Sequence, residues 1–519
     1  MVVGILSVPP MIDPALTPGV GQPGQASLHF LVHVGLTVAD EDVRLHAALA
    51  EDVPTVENGL WRLFPDGRME TLWKIRSDAR WHDGTSVSAG DILFTATMER
   101  DRDLPVLPNI GYDSVDSIEA VDTQTVKMTW KRPYIDADSM FASPFPRHLL
   151  EQQYVDDKTK LPQLRYWTEE FVGTGPYKLR SWASGSGAVM DANDQYVLGR
   201  PKIDQIEVRF VADPTTMAAS LLANAVNVTL GKGLSLDQAV QLESRWQEGH
   251  VAAAASNSIL LYPQLINTNP AVVADVRFRK ALMFGADRQE LADTIMYGRT
   301  IIAQSYFSPS TPDYEDTLDA AVKYPYDPAQ AARMIEALGY AKGADGLLRD
   351  IQDQVLSIEI RANDEDTNTK TMFAVANQWQ RLGVKVEPVV IPPERRSDAA
   401  YVTTFPSFLL NRQPSDVTGL RRLHQAQTPL PENGFRGVNY SRYQNAEFSA
   451  LIDRVYISII PEERTQVLKQ VVHQVTDQLI RMGLFYDVQS TLIANRLHGV
   501  PAANNTGGNV WNVHQWTLD

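Results

Sequence analysis

"VLSIEIRANDEDTNTKTMFAVANQWQRLGVKVEPVVI", residues 355–391, is the stretch whose reading decides the fold. "VLSIEIRA" (355–362) and "VKVEPVVI" (384–391) are strand-like runs rich in Val and Ile, and "NTKTMFAVANQWQRLG" (368–383) between them is a helix. A strand, a crossover helix and a second strand predict a parallel pair, because a short turn cannot bring the chain back in the same direction.

Similar elements lie on either side. Downstream, "PEERTQVLKQVVHQVTDQLIRMG" (461–483) is a long amphipathic helix opened by Pro461, and "LFYDVQSTLIA" (484–494) is a strand. Upstream, "DPAQAARMIEALGY" (327–340) is a helix bounded by Pro328 and Gly339. In "VRFRKALMFGADRQELADTIMYG" (276–298), apolar spacing at Phe278, Leu282 and Met283, then Leu291 and Ile295, predicts two helices; Asp287 caps the second and Gly298 stops it. "PTTMAASLLANAVNV" (214–228) is a helix, and "PKIDQIEVRFV" (201–211) and "FVGTGPYKLRSW" (171–182) are strand-like. Strand pairs are expected at 115–130 and around the turn Pro65-Asp66-Gly67, the latter after a short helical turn near residue 45. "LHFLVHVGLTV" (28–38) reads as a strand. Mixed strand pairs and crossover helices predict an α/β architecture with more than one lobe.

At 519 residues the chain exceeds what one core serves, so two or three domains are expected. The formal net charge of −16 weighs against nucleic acid or an anionic membrane as the main partner. No apolar run approaches the roughly 20 residues of a membrane helix, and there is no cysteine for disulfide or thiolate chemistry. "MVVGILSVPPMIDPAL" lacks a basic start and is broken by Pro9-Pro10, so it does not read as a signal peptide; a cytoplasmic protein or a mature form remaining after export are the two expectations.

No catalytic set emerges. "VGTGPY" lacks the spacing and lysine of a phosphate cradle, and neither GxSxG nor HExxH occurs. His29 and His33 would share a face only on a helix, whereas the stretch looks extended. In "WKIRSDARWHDGTSVSAGDILFT" (73–95), His82-Asp83 reads as part of a turn with Gly84 rather than as a metal or acid–base pair. Ser88 there is placed to cap a helix carrying Ile92, Leu93 and Phe94. "FLLNRQPSDVTGLRRLH" (408–424) is open to two readings, a solvated loop or an arginine that grips a carboxylate or another anion.

The stretch 72–95 also resembles a block of the family-five extracellular solute-binding proteins, the receptors of ABC importers for peptides, nickel, opines and some oligosaccharides; Trp81, Asp83, Gly84, Asp91, Ile92 and Phe94 carry the likeness. The resemblance recurs in order at "LHAALAEDVP" (45–54), "GTGPYKLRSW" (173–182), "GRPKIDQIEVRFVADPTTMAASLLANAVNV" (199–228), "NTNPAVVADVRFRKALMFGADRQELADTIMYG" (267–298), "YDPAQAARMIEALGY" (326–340) and "NYSRYQNAEFSALIDRV" (439–455).

That resemblance implies a two-lobed α/β fold of the periplasmic-binding-protein kind (type II, cluster C), with an extra subdomain inserted in lobe one. The implied boundaries are 1–37, 173–260 and 486–519 for lobe one, 38–172 for the inserted subdomain and 261–485 for lobe two. It implies a solute, most readily a peptide, held in the interlobe cleft by hinge closure and passed to the transmembrane subunits of a permease. Also implied are a monomer, no nucleic-acid partner, no cofactor, no resident metal and no enzymatic reaction. The expected place is extracytoplasmic, either free in the periplasm or lipid-anchored at the outer face of the cell membrane. The ligand-binding positions carried over are His33, Val34 and Gly35 in lobe one, and Ser407, Phe408, Leu409, Asn411, Arg412 and Asp416 in lobe two. Peptide receptors of the family place an Asp for the peptide amine in the second stretch. Leu409 and Leu410 stand in that place here, leaving Asp416 for the amine or Arg412 for a carboxylate. The alternatives are a receptor for an oligosaccharide or other non-peptide solute and, in another class, a secreted two-lobed hydrolase.

Overall fold

In the computed structural model, which describes residues 1–14, 22–101, 103–104, 110–231, 233–502 and 508–519, the segment 355–391 is a parallel β-α-β unit. Strands Ser357–Ala362 and Lys385–Val390 pair in register from Ser357 opposite Lys385 to Ala362 opposite Val390. Helix Asp366–Leu382 crosses between them and stops at Gly383, whose φ of 102° suits a residue without a side chain. Its buried stripe, including Met372, Val375 and Trp379, packs toward the sheet, with the Trp379 indole donating to Leu282 O at 3.0 Å.

This unit belongs to the second of two compact units, residues 255–488. Strand Phe408–Gln413 lies parallel to Ser357–Ala362 on one side and antiparallel to the end of the long strand Gly249–Pro263 on the other. Helices Val276–Phe284 and Arg288–Ile295 follow, and Asp287 caps the second by accepting from Glu290 N at 2.9 Å. Helix Pro328–Glu336 is capped in the same way by Asp327. The long helix ends at Asp477, before the end of the run read for it, and the next strand starts earlier than read, at Met482.

The first unit joins residues 1–254 to 489–519. Strand Val2–Ile5 pairs in parallel with both Gln205–Phe210 and Val228–Leu230, and helix Pro214–Leu222 forms the crossover between these two. Gly187–Ala192 and Tyr177–Ala183 extend the sheet as antiparallel strands. A second, four-stranded sheet is formed by Trp61–Leu63, Met69–Lys74, Thr125–Trp130 and Val115–Ala120, with Gly67 turning the first hairpin. Helix Ala89–Arg100 accompanies it and starts at a capping box in which Asp91 accepts from Ser88 N at 2.8 Å.

Two readings are corrected. Residues 28–38 are not one strand: Gln25–Val32 is helical, and only Thr37–Ala39 is extended. The helix is buried on nearly every side, so it has no polar face to mark its period. No helical turn forms near residue 45; Leu45–Ala47 instead pairs with Thr37–Ala39. The chain passes between the two units twice, within the strands Gly249–Pro263 and Met482–Ala494. No described helix is long and apolar enough to cross a membrane.

Candidate functional site

In the first unit, the backbone after helix Gln25–Val32 is fastened to the "GTG" of residues 173–175. Thr174 Oγ1 accepts from Val34 N at 3.1 Å and donates to Val34 O at 2.6 Å, while Gly175 N donates to Val32 O at 3.0 Å. The approach is too close for side chains: a Cβ on Gly173 would lie 2.0 Å from Val32 O, and one on Gly175 2.3 Å from His33 N. Gly35 is equally confined, its Cβ position being 2.3 Å from Phe141 O.

The buried side chains around this junction form an imidazole–aromatic cluster. His33 stacks on Trp81 at 5.8 Å between centroids, meets His29 edge-on at 4.9 Å and has Phe171 at 6.1 Å. Thr174 N donates to His33 Nδ1 at 3.2 Å. His82 Nδ1 accepts from Gly173 N at 3.2 Å, and Nε2 donates to Gly175 O at 3.1 Å, so His82 clasps the glycine loop. Burial pushes His82 down to about 4, His29 to about 3 and His33 well below the usual range. Asp83 belongs to the turn, accepting from Thr85 N at 2.9 Å and pairing with His148 at 2.7 Å. Among the described residues, no set of three or more His, Asp or Glu is arranged to hold a metal. The structure therefore places His33 and Val34 with their side chains inward.

In the second unit, Ser407, Phe408 and Leu409 are interior. Ser407 Oγ donates to Asn269 O at 2.6 Å and accepts from Glu359 N at 3.1 Å; Phe408 packs on Trp379 with ring centroids 5.4 Å apart. Residues 408–410 pair with strands on both sides, whereas Asn411–Gln413 pair with Ser258–Leu260 and extend past the end of Ser357–Ala362. Arg412 is at the surface, its side chain 42 % exposed, and its guanidinium holds the 13 % exposed Asp487 at 3.1 Å. Asn411 Oδ1 accepts from Arg412 N at 2.8 Å. Asp416 serves its own loop, accepting from Thr418 Oγ1 at 2.6 Å and Gly419 N at 2.7 Å.

Asn411 and Arg412 are thus adjacent at the surface end of one strand, and Asp416 lies just beyond it. Asp487, which sequence reasoning missed, joins them from 75 residues away. Its signal was an acidic residue within the apolar strand run "LFYDVQSTLIA".

Residues 47–428 match the family described as bacterial extracellular solute-binding proteins, family 5. The chain is similar to the oligopeptide-binding protein AppA of Bacillus subtilis, at 21 % identity over 93 % of this chain and 85 % of that protein. It is also similar to the heme-binding protein A of Haemophilus influenzae, at 22 % identity over 79 % and 74 %. Among solved structures, NikZ from Campylobacter jejuni in complex with Ni(L-His) superposes with a TM-score of 0.71 at 20 % identity, covering 100 % of this chain and 99 % of that one. The chain has the two-lobed periplasmic-binding-protein fold and belongs to the family-five bacterial extracellular solute-binding proteins.

Proposed function

We propose that this chain is the extracytoplasmic receptor of an ABC importer, and that it binds a small solute bearing a carboxylate, most readily a peptide. It captures that solute by a closing motion about its two strand crossings and hands it to the transmembrane subunits of a permease, acting as a monomer and without chemical turnover. Residues 38–172 act as the inserted subdomain. The observation that carries the reading is family membership over residues 47–428. The oligopeptide and the Ni(L-His) complex of the relatives both contain carboxylates, as does haem through its propionates.

Arg412 is our candidate for the carboxylate. It stands at the half of strand Phe408–Gln413 where an extended ligand can add main-chain hydrogen bonds, and Asp487 holds it in place. Ser407, Phe408 and Leu409 support that strand from below. His33, Val34 and Gly35 are the proposed counterpart in the first unit, acting through the backbone. Asp416 is the candidate for a ligand amine.

Native mass spectrometry of the purified chain, followed by denaturing release, tests this. A one-to-one adduct of mixed peptides supports the peptide reading, and Arg412→Ala then lowers the retained fraction. A single sugar adduct, or an empty chain whose melting no peptide raises, overturns it. A peptide at 100 times its Kd adds about 2.7 kcal/mol of stability.

A further inference from the structure

An open groove of about 760 Å³ lies on the second unit, where helix Pro461–Asp477 packs against helix Ala446–Val455. Four glutamines line it, Gln466, Gln470, Gln474 and Gln478, each four residues after the last. Gln478 caps the helix with helical backbone angles, so the spacing holds to the end. On one helix that spacing sets the four in a row, about 6 Å from one to the next and about 18 Å end to end. Every step of the row carries the same primary amide.

The lysine and the aspartate in the lining are both neutralised within the protein: Lys469 donates to Asp319 at 2.7 Å, and Asp477 accepts from Lys280 at 2.6 Å. What remains is uncharged and offers donors and acceptors together. Tyr443 Oη accepts from Gln474 Nε2 and from Asn445 Nδ2, each at 3.2 Å, which leaves its own hydrogen for an acceptor outside the protein. Gln474 keeps its carbonyl oxygen. Among the described residues, Gln466 and Gln470 have no hydrogen-bond partner at either end of the amide. Water satisfies such exposed groups, so it is their pattern, and not a penalty, that points to a ligand.

We propose that this groove binds a neutral saccharide chain, laid along the row of glutamines. A ring hydroxyl both donates and accepts, and two neighbouring hydroxyls meet one primary amide, which presents a donor and an acceptor side by side. An anion could use only the donors and an ammonium only the acceptors. A peptide strand is held by a sheet edge or by apolar pockets, and the groove offers neither, its one aliphatic residue being Leu451. The groove shares no residue with the solute position proposed around Arg412. A chain held by single amide contacts at the surface leaves on buffer exchange, so it does not supply the adduct by which the solute is identified.

Isothermal titration calorimetry of the intact chain with maltotetraose, cellotetraose and chitotetraose, each beside its monosaccharide, tests this. At least one tetrasaccharide should bind, and more tightly than its monosaccharide, because the row is longer than one ring. Gln470 is exposed, so Gln470→Ala leaves the fold intact and should weaken that binding about fivefold, the effect of one lost hydrogen bond. Arg412→Ala should leave it unchanged. Absence of tetrasaccharide binding, or a tetrasaccharide no tighter than its monosaccharide, would overturn the proposal. Binding that survives Gln470→Ala would do the same, and its loss in Arg412→Ala would move the sugar to the solute position. Equal binding of N-acetyl-tetraalanine amide, lost in Gln470→Ala, would make the groove a peptide site instead.

Discussion

His29 shows how a single residue registers pH through its surroundings. Its Nε2 is 2.9 Å from Ser143 Oγ, while Asp13 Oδ2 stands 3.8 Å from Nδ1, too far for a hydrogen bond. Burial dominates and holds the imidazole neutral down to about pH 3. The unfolded chain binds that proton near pH 6.5, so between 6.5 and 3 the unfolded state carries more protons than the folded one. The stabilisation is complete above pH 6.5 and is lost as the pH falls. In His29→Gln, where the amide can still meet Ser143, the free energy of unfolding should therefore fall less steeply than in the parent. The difference should be about 1 kcal/mol per pH unit between 6.5 and 4.5. The opposite contribution of Glu99, pushed up to about 7 by burial, is common to both proteins and cancels. Urea titrations across that range check this, and parallel curves would refute it.

What the sequence discloses at the level of elements depends on how local the deciding interaction is. Ser88 and Asp287 were readable as caps because a cap bonds a backbone N–H three residues away, and both do so or close a capping box. Helix Gln25–Val32 was read as a strand because its own residues carry no polar face; its identity comes from distant chain that buries it. That error also hid the meeting of His29 and His33. Asp487 stood out as an acidic residue in an apolar run, but its pairing with Arg412 was not readable, since the strands that bring the two together are far apart in sequence. The local case makes a simple prediction: Asp287→Ala, which leaves Glu290 N without its acceptor, should cost about 1 kcal/mol with the urea m-value unchanged. An unmoved midpoint would show that water replaces the cap at no cost.

At the level of the whole molecule, the two units differ in how the chain builds them. The second is continuous, residues 255–488, whereas the first needs a segment, 489–519, that returns to it after the second unit. That segment is no surface appendage. Ile493, Leu497, Val513 and Trp516 sit in the same apolar core as Val3, Ile5 and Leu28, while Leu492 and Ala494 pack with Met217 and Trp246. Removing them would leave cavities throughout a core that stability requires to be filled. The fragment 255–488 should therefore unfold cooperatively when expressed alone, having its own sheet and helices. The fragment 1–254 should lack a cooperative transition by circular dichroism and near-ultraviolet signal until 489–519 is joined to it through a flexible linker. A sharp melt of 1–254 alone would show that the first unit closes its core without the returning segment. If 255–488 failed to melt cooperatively, the second unit would depend on the strand residues beyond its borders, 249–254 and 489–494.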